Sequence, residues 1–218
     1  MDIKISQDTV IVFDLDDTLY NELDYLKSAY QHIAQQLDQK DWKQLYSSML
    51  SLYRCKENVF EVLVSKYGVE QKTLVDMYRY HLPNINLFDG ILNIINNIIS
   101  KNGKLGIITD GRTKTQIAKL KALGVFDLFD KIIISEDLGT EKPDEANYKA
   151  IESAIKGTEY WYIADNLKKD FVSPNRLGWK SIGLIDNGKN IHYQANQYMS
   201  EAHQPKHFIL SYNELNII

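Results

Sequence analysis

The stretch Thr9-Val-Ile-Val-Phe-Asp-Leu-Asp-Asp-Thr18 places an apolar run directly before three aspartates and a threonine. Val10–Phe13 is continuously apolar rather than alternating, which is typical of a strand that is covered on both faces. In an open parallel sheet, ligands bind beyond the carboxyl ends of the strands. The stretch therefore predicts a buried parallel strand and, immediately after it, one part of a polar binding site.

Further apolar runs predict the rest of the sheet. They are Lys104–Thr109, Lys131–Ser135, Tyr160–Ala164 and Lys180–Ile185, with His207–Leu210 as an edge strand. Between them, Thr113–Leu123 and Pro143–Ile155 have helical spacing, and the second begins with a proline suited to a first helical turn. Strands that alternate with helices imply right-handed crossovers. The predicted fold class is α/β, a Rossmann-like parallel sheet core with helices on both faces.

One interval is too long for a single crossover, since about 90 residues separate the first predicted strand from the second. Within it, apolar residues recur at helical spacing in four groups, near residues 23–37, 45–53, 59–67 and 74–78. We expect a small all-helical cap domain at 20–85, inserted after the first strand, and a core domain formed by 1–19 and 86–218. The tyrosines of the insert, Tyr20 among them, are expected mostly to pack this helical bundle, with one or two facing the active site.

Composition excludes several classes of protein. A net charge of −4 and a pI near 5.7 argue against non-specific nucleic-acid binding, which needs an excess of Lys and Arg. The single cysteine, Cys55, cannot form an internal disulfide and fits a reducing compartment. The first ten residues contain acids where a signal peptide would be apolar, and asparagines interrupt the richest apolar run, Ile91–Ile99. We therefore expect a cytoplasmic protein with no nucleic-acid or membrane partner.

Charged and hydroxyl side chains follow four of the predicted strands. They are Asp14, Asp16 and Thr18 after the first strand, Thr109 and Asp110 after the second, Lys142 after the third, and Asp165 and Asp170 after the fourth. Carboxylates held together repel one another unless a cation is present, and Mg²⁺ suits one or two carboxylates with a phosphate. The sequence therefore predicts a magnesium site with a lysine that balances an anionic substrate.

This pattern resembles the haloacid dehalogenase superfamily of phosphohydrolases. Four motifs stand in family order, DLDDT at Asp14–Thr18, ITD at Ile108–Asp110, EKPD at Glu141–Asp144 and DNLKKD at Asp165–Asp170. Any one of them is weak by itself, but four in order, each after an apolar strand, form a specific signal. The helical insert resembles the cap of subfamily I, which has its cap at this position. Ala164 stands where the family usually has glycine.

The resemblance implies a role for each matching residue. Asp14 is similar to the nucleophile that forms an aspartyl phosphate, and it is also similar to a family metal ligand. Asp16 is similar to the general acid that protonates the leaving oxygen and then activates water, and its backbone carbonyl is similar to a metal ligand. Thr109 would hydrogen-bond the phosphoryl group, and Lys142 would neutralise Asp14 and the phosphoryl oxygens.

The remaining motif residues have less direct roles in the resemblance. Asp165 would ligate Mg²⁺, while Asp170 would either ligate it or support the ligands. Asp110 is grouped with the phosphate-binding residues, although a purely structural turn is the alternative reading of Thr109-Asp110-Gly111. Thr18 would shape the loop.

The function implied is a magnesium-dependent phosphatase that acts on a small phosphorylated metabolite through an aspartyl phosphate. The alternatives are a phosphomutase acting on a sugar phosphate, and a catalytically silent binding or regulatory protein with the same fold. Nucleotide monophosphates, sugar phosphates and phosphoglycolate-like acids all remain candidate substrates, because specificity would come from the insert closing over the core.

One further motif is predicted to have no function. Gly183–Asn190, with the sequence GLIDNGKN, nearly matches a phosphate-binding P-loop. That loop needs Ser or Thr after the lysine to bind magnesium, and Asn190 stands there instead. A surface turn is the better interpretation. The five histidines show no metal-ligand spacing, and His192 is expected to be solvated.

Overall fold

The chain alternates strands and helices for most of its length, and a computed structural model describes all of residues 1–218. The strands are β1 (Asp2–Ile3), β2 (Thr9–Phe13), β3 (Lys104–Thr109), β4 (Lys131–Ile134), β5 (Glu159–Ala164), β6 (Lys180–Leu184), β7 (His207–Ile209) and β8 (Asn216–Ile217). The α-helices are α1 (Glu22–Leu37), α2 (Trp42–Arg54), α3 (Val59–Tyr67), α4 (Gln71–Tyr80), α5 (Ile91–Ser100), α6 (Thr113–Ala122), α7 (Ser135–Leu138), α8 (Glu145–Ala154) and α9 (Val172–Arg176).

Six of the strands form one parallel sheet in the order β4-β3-β2-β5-β6-β7. Phe13 of β2 pairs with Ile107 of β3 on one side and with Ile163 of β5 on the other, so the carboxyl ends of these strands are nearly level. β7 is an edge strand, as predicted, and β4 is the other. The predicted α/β class with a flanked parallel sheet is confirmed, and the register brings the residues that follow β2, β3 and β5 to one edge.

The strand that leads into the site is completely buried. Val10, Ile11, Val12 and Phe13 of β2 have no exposed surface. One core cluster joins strand residues such as Val12 and Tyr162 to Tyr148 and Ile151 of α8. Burial on both faces explains why the run is continuously apolar, and it fixes the end of β2 firmly in the sheet.

The chain divides into two compact units, a core unit of Met1–Glu22 with Asn86–Ile218 and a helical unit of Leu23–Ile85. The first boundary lies after Glu22, three residues later than the predicted end of the core at residue 19. Tyr20 consequently belongs to the core unit, whereas the sequence had placed it in the helical bundle. It is fully buried, and its hydroxyl contacts Asp16.

Some elements begin or end at residues other than the predicted ones. Ser135 begins α7 instead of ending β4. The predicted helix start at Pro143 is wrong, because α8 begins at Glu145 after an N-cap at Asp144. The Asp144 carboxylate accepts a hydrogen bond from the Ala146 N–H at 2.8 Å, which satisfies one of the free donors of the first turn. The β1–β8 pair of short strands was not predicted.

The helical unit contains α2, α3, α4 and α1 from Leu23 onward. It has its own open apolar cavity of about 290 Å³, lined by Leu26, Tyr30, Tyr53, Glu57, Asn58, Val59, Phe60 and Tyr78. No helix of the structure combines the length and apolar character needed to cross a membrane.

Candidate active site

A cavity of about 160 Å³ opens at the carboxyl edge of the core sheet. Its lining is mostly charged and comprises Asp14, Asp16, Asp17, Glu22, Thr109, Asp110, Asp165, Asn166, Lys169 and His192. Thr109 ends β3, while Asp14 and Asp165 directly follow β2 and β5. The strand ends therefore bring residues from three of the sequence motifs into one cavity, as the parallel sheet predicted.

The loop after β2 is fixed by the backbone as well as by side chains. The Asp14 N–H donates to the Ile163 carbonyl at 2.9 Å, which extends the pairing of β2 with β5 by one residue. Asp17 has a left-handed backbone with φ 56°, a conformation that Asp tolerates better than most residues. Its carboxylate accepts the backbone N–H of Glu22 at 2.8 Å and of Ile191 at 2.9 Å. Asp17 thus ties the segment that follows Asp14 to a distant part of the core unit.

Lys142 lies at the centre of a buried charge cluster. Its Nζ lies 2.7 Å from Asp14 Oδ1, 2.8 Å from Asp170 Oδ1 and 3.2 Å from the Tyr162 hydroxyl. Burial by itself lowers the pKa of the ammonium, but Asp14 and Asp170 outweigh it and raise the pKa well above its usual value. Lys142 is therefore stabilised in its charged form, in contact with the predicted nucleophile.

Asp14, Asp165 and Asp170 form an acidic cluster in which one carboxylate oxygen of each lies within 4.8 Å of the others. Burial raises the pKa of Asp14 to about 7, and it raises that of Asp165 well above its ordinary value. Asp170 is fully buried, and its second oxygen accepts the Asn166 N–H at 3.0 Å. The cluster has more negative charge than Lys142 alone can balance, which is the condition that favours binding of a cation.

Asp16 lines the same cavity but is not part of that cluster, and a separate set of polar groups contacts its carboxylate. Both of its oxygens contact Lys119 Nζ, at 2.7 and 2.9 Å, and one accepts from the Gln116 amide at 3.0 Å. The Tyr20 hydroxyl donates to the other oxygen. Burial by itself would raise the pKa of Asp16, but Lys119 and these donors lower it below its usual value. Asp16 is therefore held as a carboxylate.

Gln116 and Lys119 were missed by the sequence reasoning. They lie one turn apart on α6, and both are buried although polar. Gln116 also donates to the Thr109 hydroxyl at 2.5 Å, so it links Thr109 to Asp16. Their spacing of three residues places them on one face of a helix. Polar residues on a helix face are usually exposed to solvent, so the spacing by itself does not indicate that these two are buried.

The carboxylate of Asp110 contacts two lysines, Lys142 and Lys169. Its carboxylate accepts the backbone N–H of Lys142 at 3.1 Å and pairs with Lys169 Nζ at 2.7 Å. It lines the cavity, but both of its oxygens are engaged by these donors. The geometry therefore gives Asp110 the part of an anchor for the Lys142 loop.

Asp165 receives two donors from distant parts of the core unit. The Thr18 hydroxyl lies 3.3 Å from its Oδ1, and the Asn190 amide donates to its Oδ2 at 2.8 Å. Asn190 ends the P-loop-like stretch, and no helix directly follows it. Residues 185–189 of the stretch form an exposed turn, as predicted, and Asn190 connects this turn to the site. His192, two residues further on, lines the cavity although much of its surface is exposed. Loss of solvent contact on the cavity side lowers the pKa of His192, and the positive charge of Lys169 lowers it further.

A sequence model of the family described as haloacid dehalogenase-like hydrolase matches residues 11–184. The chain belongs to this family. The matched range includes all four motifs that suggested the resemblance, so that prediction is confirmed. In this hydrolase, Ala164 replaces the usual glycine as a fully buried last residue of β5, and the strand pairs normally there with Gly183.

Two curated relatives align with most of the length of this hydrolase. It is 26% identical over 192 residues to a glyceraldehyde 3-phosphate phosphatase of Methanocaldococcus jannaschii, covering 80% of this chain and 84% of the relative. It is 27% identical over 193 residues to the pyrimidine 5'-nucleotidase PynA of Streptococcus pneumoniae, covering 86% of this chain and 78% of the relative.

A solved structure is also similar. The HAD-hydrolase YfnB of Bacillus subtilis, whose crystal structure is bound to magnesium, matches with a TM-score of 0.59 at 25% identity. The match covers 94% of this chain and 95% of YfnB. The similarity therefore extends over the whole hydrolase and is not confined to the motifs.

Proposed function

We propose that the protein is a magnesium-dependent phosphatase that hydrolyses a small phosphorylated metabolite through an aspartyl-phosphate intermediate. The observation that carries this proposal is the setting of Asp14. Its buried carboxylate lies 2.7 Å from Lys142 Nζ and close to the carboxylates of Asp165 and Asp170. The relatives named as a phosphatase and a nucleotidase support the same class of reaction.

The acidic cluster fits a hard divalent cation, because its donors are all carboxylate oxygens within 4.8 Å of one another. Asp14 and Asp165, with the backbone carbonyl of Asp16, would hold the ion. Asp170 would support them, since its oxygens already accept from Lys142 and from the Asn166 N–H. When bound, magnesium supplies positive charge that offsets repulsion between Asp14 and the phosphoryl oxygens.

In the first step the carboxylate of Asp14 attacks phosphorus, and the bond from phosphorus to the substrate oxygen breaks. Lys142 remains paired with Asp14 and stabilises the charge that develops on the phosphoryl oxygens. The Thr109 hydroxyl, which lines the cavity and accepts from Gln116, is free to donate its own proton to the phosphoryl group. The product of this step is a phosphorylated Asp14 and an alcohol.

Asp16 serves both proton transfers. In the first step it gives a proton to the departing oxygen, and in the second it takes one from the water that attacks the aspartyl phosphate. Lys119 holds it in the ionised form that the second step requires. The first step therefore requires Asp16 to take up a proton against its ion pair with Lys119.

The substrate class that we propose is a small phosphate monoester. Nucleotide monophosphates, sugar phosphates and phosphoglycolate-like acids are all retained, and the relatives' names include a triose phosphate and a nucleotide. Rates on a panel of phosphorylated metabolites, one for each class, would select among them. A phosphomutase would instead isomerise a sugar phosphate when primed with the sugar bisphosphate.

The direct test measures release of phosphate from p-nitrophenyl phosphate and from the panel. We expect turnover with Mg²⁺, none in excess chelator, and inhibition by Ca²⁺, whose larger coordination shell fits the site poorly. Asp14→Asn should retain less than about a tenth of the wild-type rate, whereas Asp8→Asn, the same change at an exposed site, should be neutral. Full activity in chelator, or an active Asp14→Asn variant, contradicts the proposal. No turnover with any substrate would favour a binding protein.

A further inference from the structure

The part of the P-loop-like stretch that follows β6, residues 185–190, forms a tightly hydrogen-bonded turn, and the proposed mechanism does not use it. Asp186 Oδ1 accepts the backbone N–H groups of Gly188, Lys189 and Asn190 at 2.7, 3.1 and 3.1 Å. One carboxylate oxygen thus organises the turn up to Asn190 and determines where that residue lies.

The same turn is fastened to the loop after β2 on both sides of Asn190. The Asn187 amide donates to the Asn21 side chain at 2.9 Å, and the Ile191 N–H donates to Asp17 at 2.9 Å. Asn190 itself is half-buried, in contrast to the exposed residues that precede it in the turn. Its position is therefore fixed relative to the loop that contains Asp14.

From this fixed position the side-chain amide of Asn190 donates a hydrogen bond to the carboxylate of Asp165. The amide Nδ2 lies 2.8 Å from Asp165 Oδ2. The other oxygen, Oδ1, accepts only a longer hydrogen bond of 3.3 Å from the Thr18 hydroxyl. A neutral amide donor holds the plane of the carboxylate without cancelling its charge, so the negative charge stays available for a cation.

We infer that Asn190 is a positioning residue of the divalent-cation site. Its hydrogen bond orients the Asp165 carboxylate toward Asp14, so that both carboxylates can bind the cation. The inference rests on the metal site of the proposed function and adds a residue that none of the four motifs contains. Hydrogen-bond partners behind a metal ligand typically change metal affinity by about 10- to 100-fold, because they select the ligand's productive orientation. A P-loop would need serine or threonine at this position. Asn190 stands there instead, and it affects the cation through Asp165.

The experiment measures Mg²⁺ binding by calorimetry in the absence of substrate. Asn190→Leu keeps the shape of the side chain and removes the donor. We expect its Kd for Mg²⁺ to be about 10- to 100-fold higher than that of the wild type. Asn93→Leu, the same change at an exposed position of α5, should bind Mg²⁺ like the wild type. Equal Kd values for Asn190→Leu and wild type overturn the inference.

A thermal melt separates positioning from folding. In chelator, Asn190→Leu should melt near the wild-type temperature, while the rise in Tm that a fixed Mg²⁺ concentration produces should be smaller, since that rise depends on [Mg²⁺]/Kd. Asn190→Ala provides a second variant if the leucine does not fit. A lower Tm in chelator with an unchanged Kd would assign Asn190 a structural role only. If the wild type binds Mg²⁺ but hydrolyses nothing, the proposed function fails while the Kd comparison still decides the role of Asn190.

Discussion

Asp16 shows how strongly the surroundings of one residue determine its chemistry. Lys119, Gln116 and Tyr20 all donate to its carboxylate. These donors stabilise the ionised form, and the pKa of Asp16 is below its ordinary value despite burial. An ionised carboxylate can accept a proton and so act as a base. To act as an acid, Asp16 must first be protonated, and it then loses some of its hydrogen bonds from Lys119, Gln116 and Tyr20.

Asp16→Asn separates these two tasks. An alkyl phosphate needs a proton on its leaving oxygen, and general acid–base assistance is worth roughly 10²- to 10⁴-fold. The variant should lose most of that factor with an alkyl phosphate and noticeably less with p-nitrophenyl phosphate, whose phenolate leaves readily. Hydrolysis of the phosphoenzyme lacks its base with either substrate. Rapid-quench kinetics should therefore show a burst of nitrophenol, and mass spectrometry at low pH should detect phosphate on Asp14. Equal losses without a burst would limit Asp16 to holding the loop.

At the scale of the element, α6 connects the β3 strand end to the loop after β2. Its buried polar face contains Gln116, which donates to Thr109 and Asp16, and Lys119, which pairs with Asp16. The side chain of Lys119 is only 5% exposed and that of Asp16 19%. Removing one member of such a buried pair leaves the other charge without its partner, and this cost exceeds the net stabilisation that the pair provides.

Lys119→Met should accordingly lower the free energy of unfolding at pH 7 by about 3 kcal/mol. Lys121→Met changes an exposed lysine on the same helix and should have little effect. Because the folded state depresses the pKa of Asp16, the stability gained from the pair is present above the unfolded pKa and is lost as the pH falls. The deficit of Lys119→Met in urea denaturation should therefore shrink as the pH falls below about 4, the pKa of an aspartate in an unfolded chain. A constant deficit would show that packing rather than charge was lost.

The start of α8 provides a second test at this scale. Asp144 is the N-cap of α8 and lies two residues after Lys142, so the cap also fixes the end of the lysine loop. Asp144→Ala should lower the free energy of unfolding by about 1 kcal/mol, whereas Asp144→Asn retains the cap and should lie close to wild type. Equilibrium unfolding in urea measures both variants. Equal losses would mean that the charge of Asp144, and not its capping bond, stabilises the helix.

At the scale of the whole molecule, carboxyl groups around the cavity make stability depend on pH and on cation. Burial raises the pKa of Asp14 to about 7, of Asp17 to about 6 and of Glu22 to about 8. Carboxyl groups in an unfolded chain titrate near about pH 4. The folded chain therefore holds these protons more tightly, and their contribution to stability is present at low pH and lost as the pH rises through that window.

In chelator, the Tm of the wild type should fall as the pH rises from about 5 to about 8, and Mg²⁺ should raise it most at the upper end, where Asp14 is ionised. Glu22→Gln removes the group with a pKa of about 8 and should flatten the upper part of the decline. Glu61→Gln, at an exposed first-turn position of α3, should leave the profile unchanged. A wild-type Tm that instead rises over this range in chelator would contradict the raised pKa values of Asp14, Asp17 and Glu22.

The sequence by itself determined where the core strands lie along the chain, the parallel core sheet and the set of residues at its carboxyl edge, whereas the order of the strands in the sheet came only from the structure. Continuous apolar runs such as Val10–Phe13 mark strands buried on both faces, and parallel pairing then brings their ends to one edge. These signals are local, since each strand and the polar residue that follows it are adjacent in the chain. For this reason Asp14, Thr109 and Asp165 could be selected, and the family could be named, from the residues alone.

Only the tertiary structure decided which groups hold those residues in place. Lys119 is 103 residues from Asp16, and Ile191 is 174 residues from Asp17. A buried polar residue on a helix and an asparagine at the end of an exposed turn look the same in sequence as solvated ones. Their contacts arise because crossovers return the chain to the same sheet edge, where burial makes each hydrogen bond and charge more consequential than it would be in water. The packing of α6 and of the turn at Asn190 thus defines the electrostatics of a site whose reactive residues were already visible in the sequence.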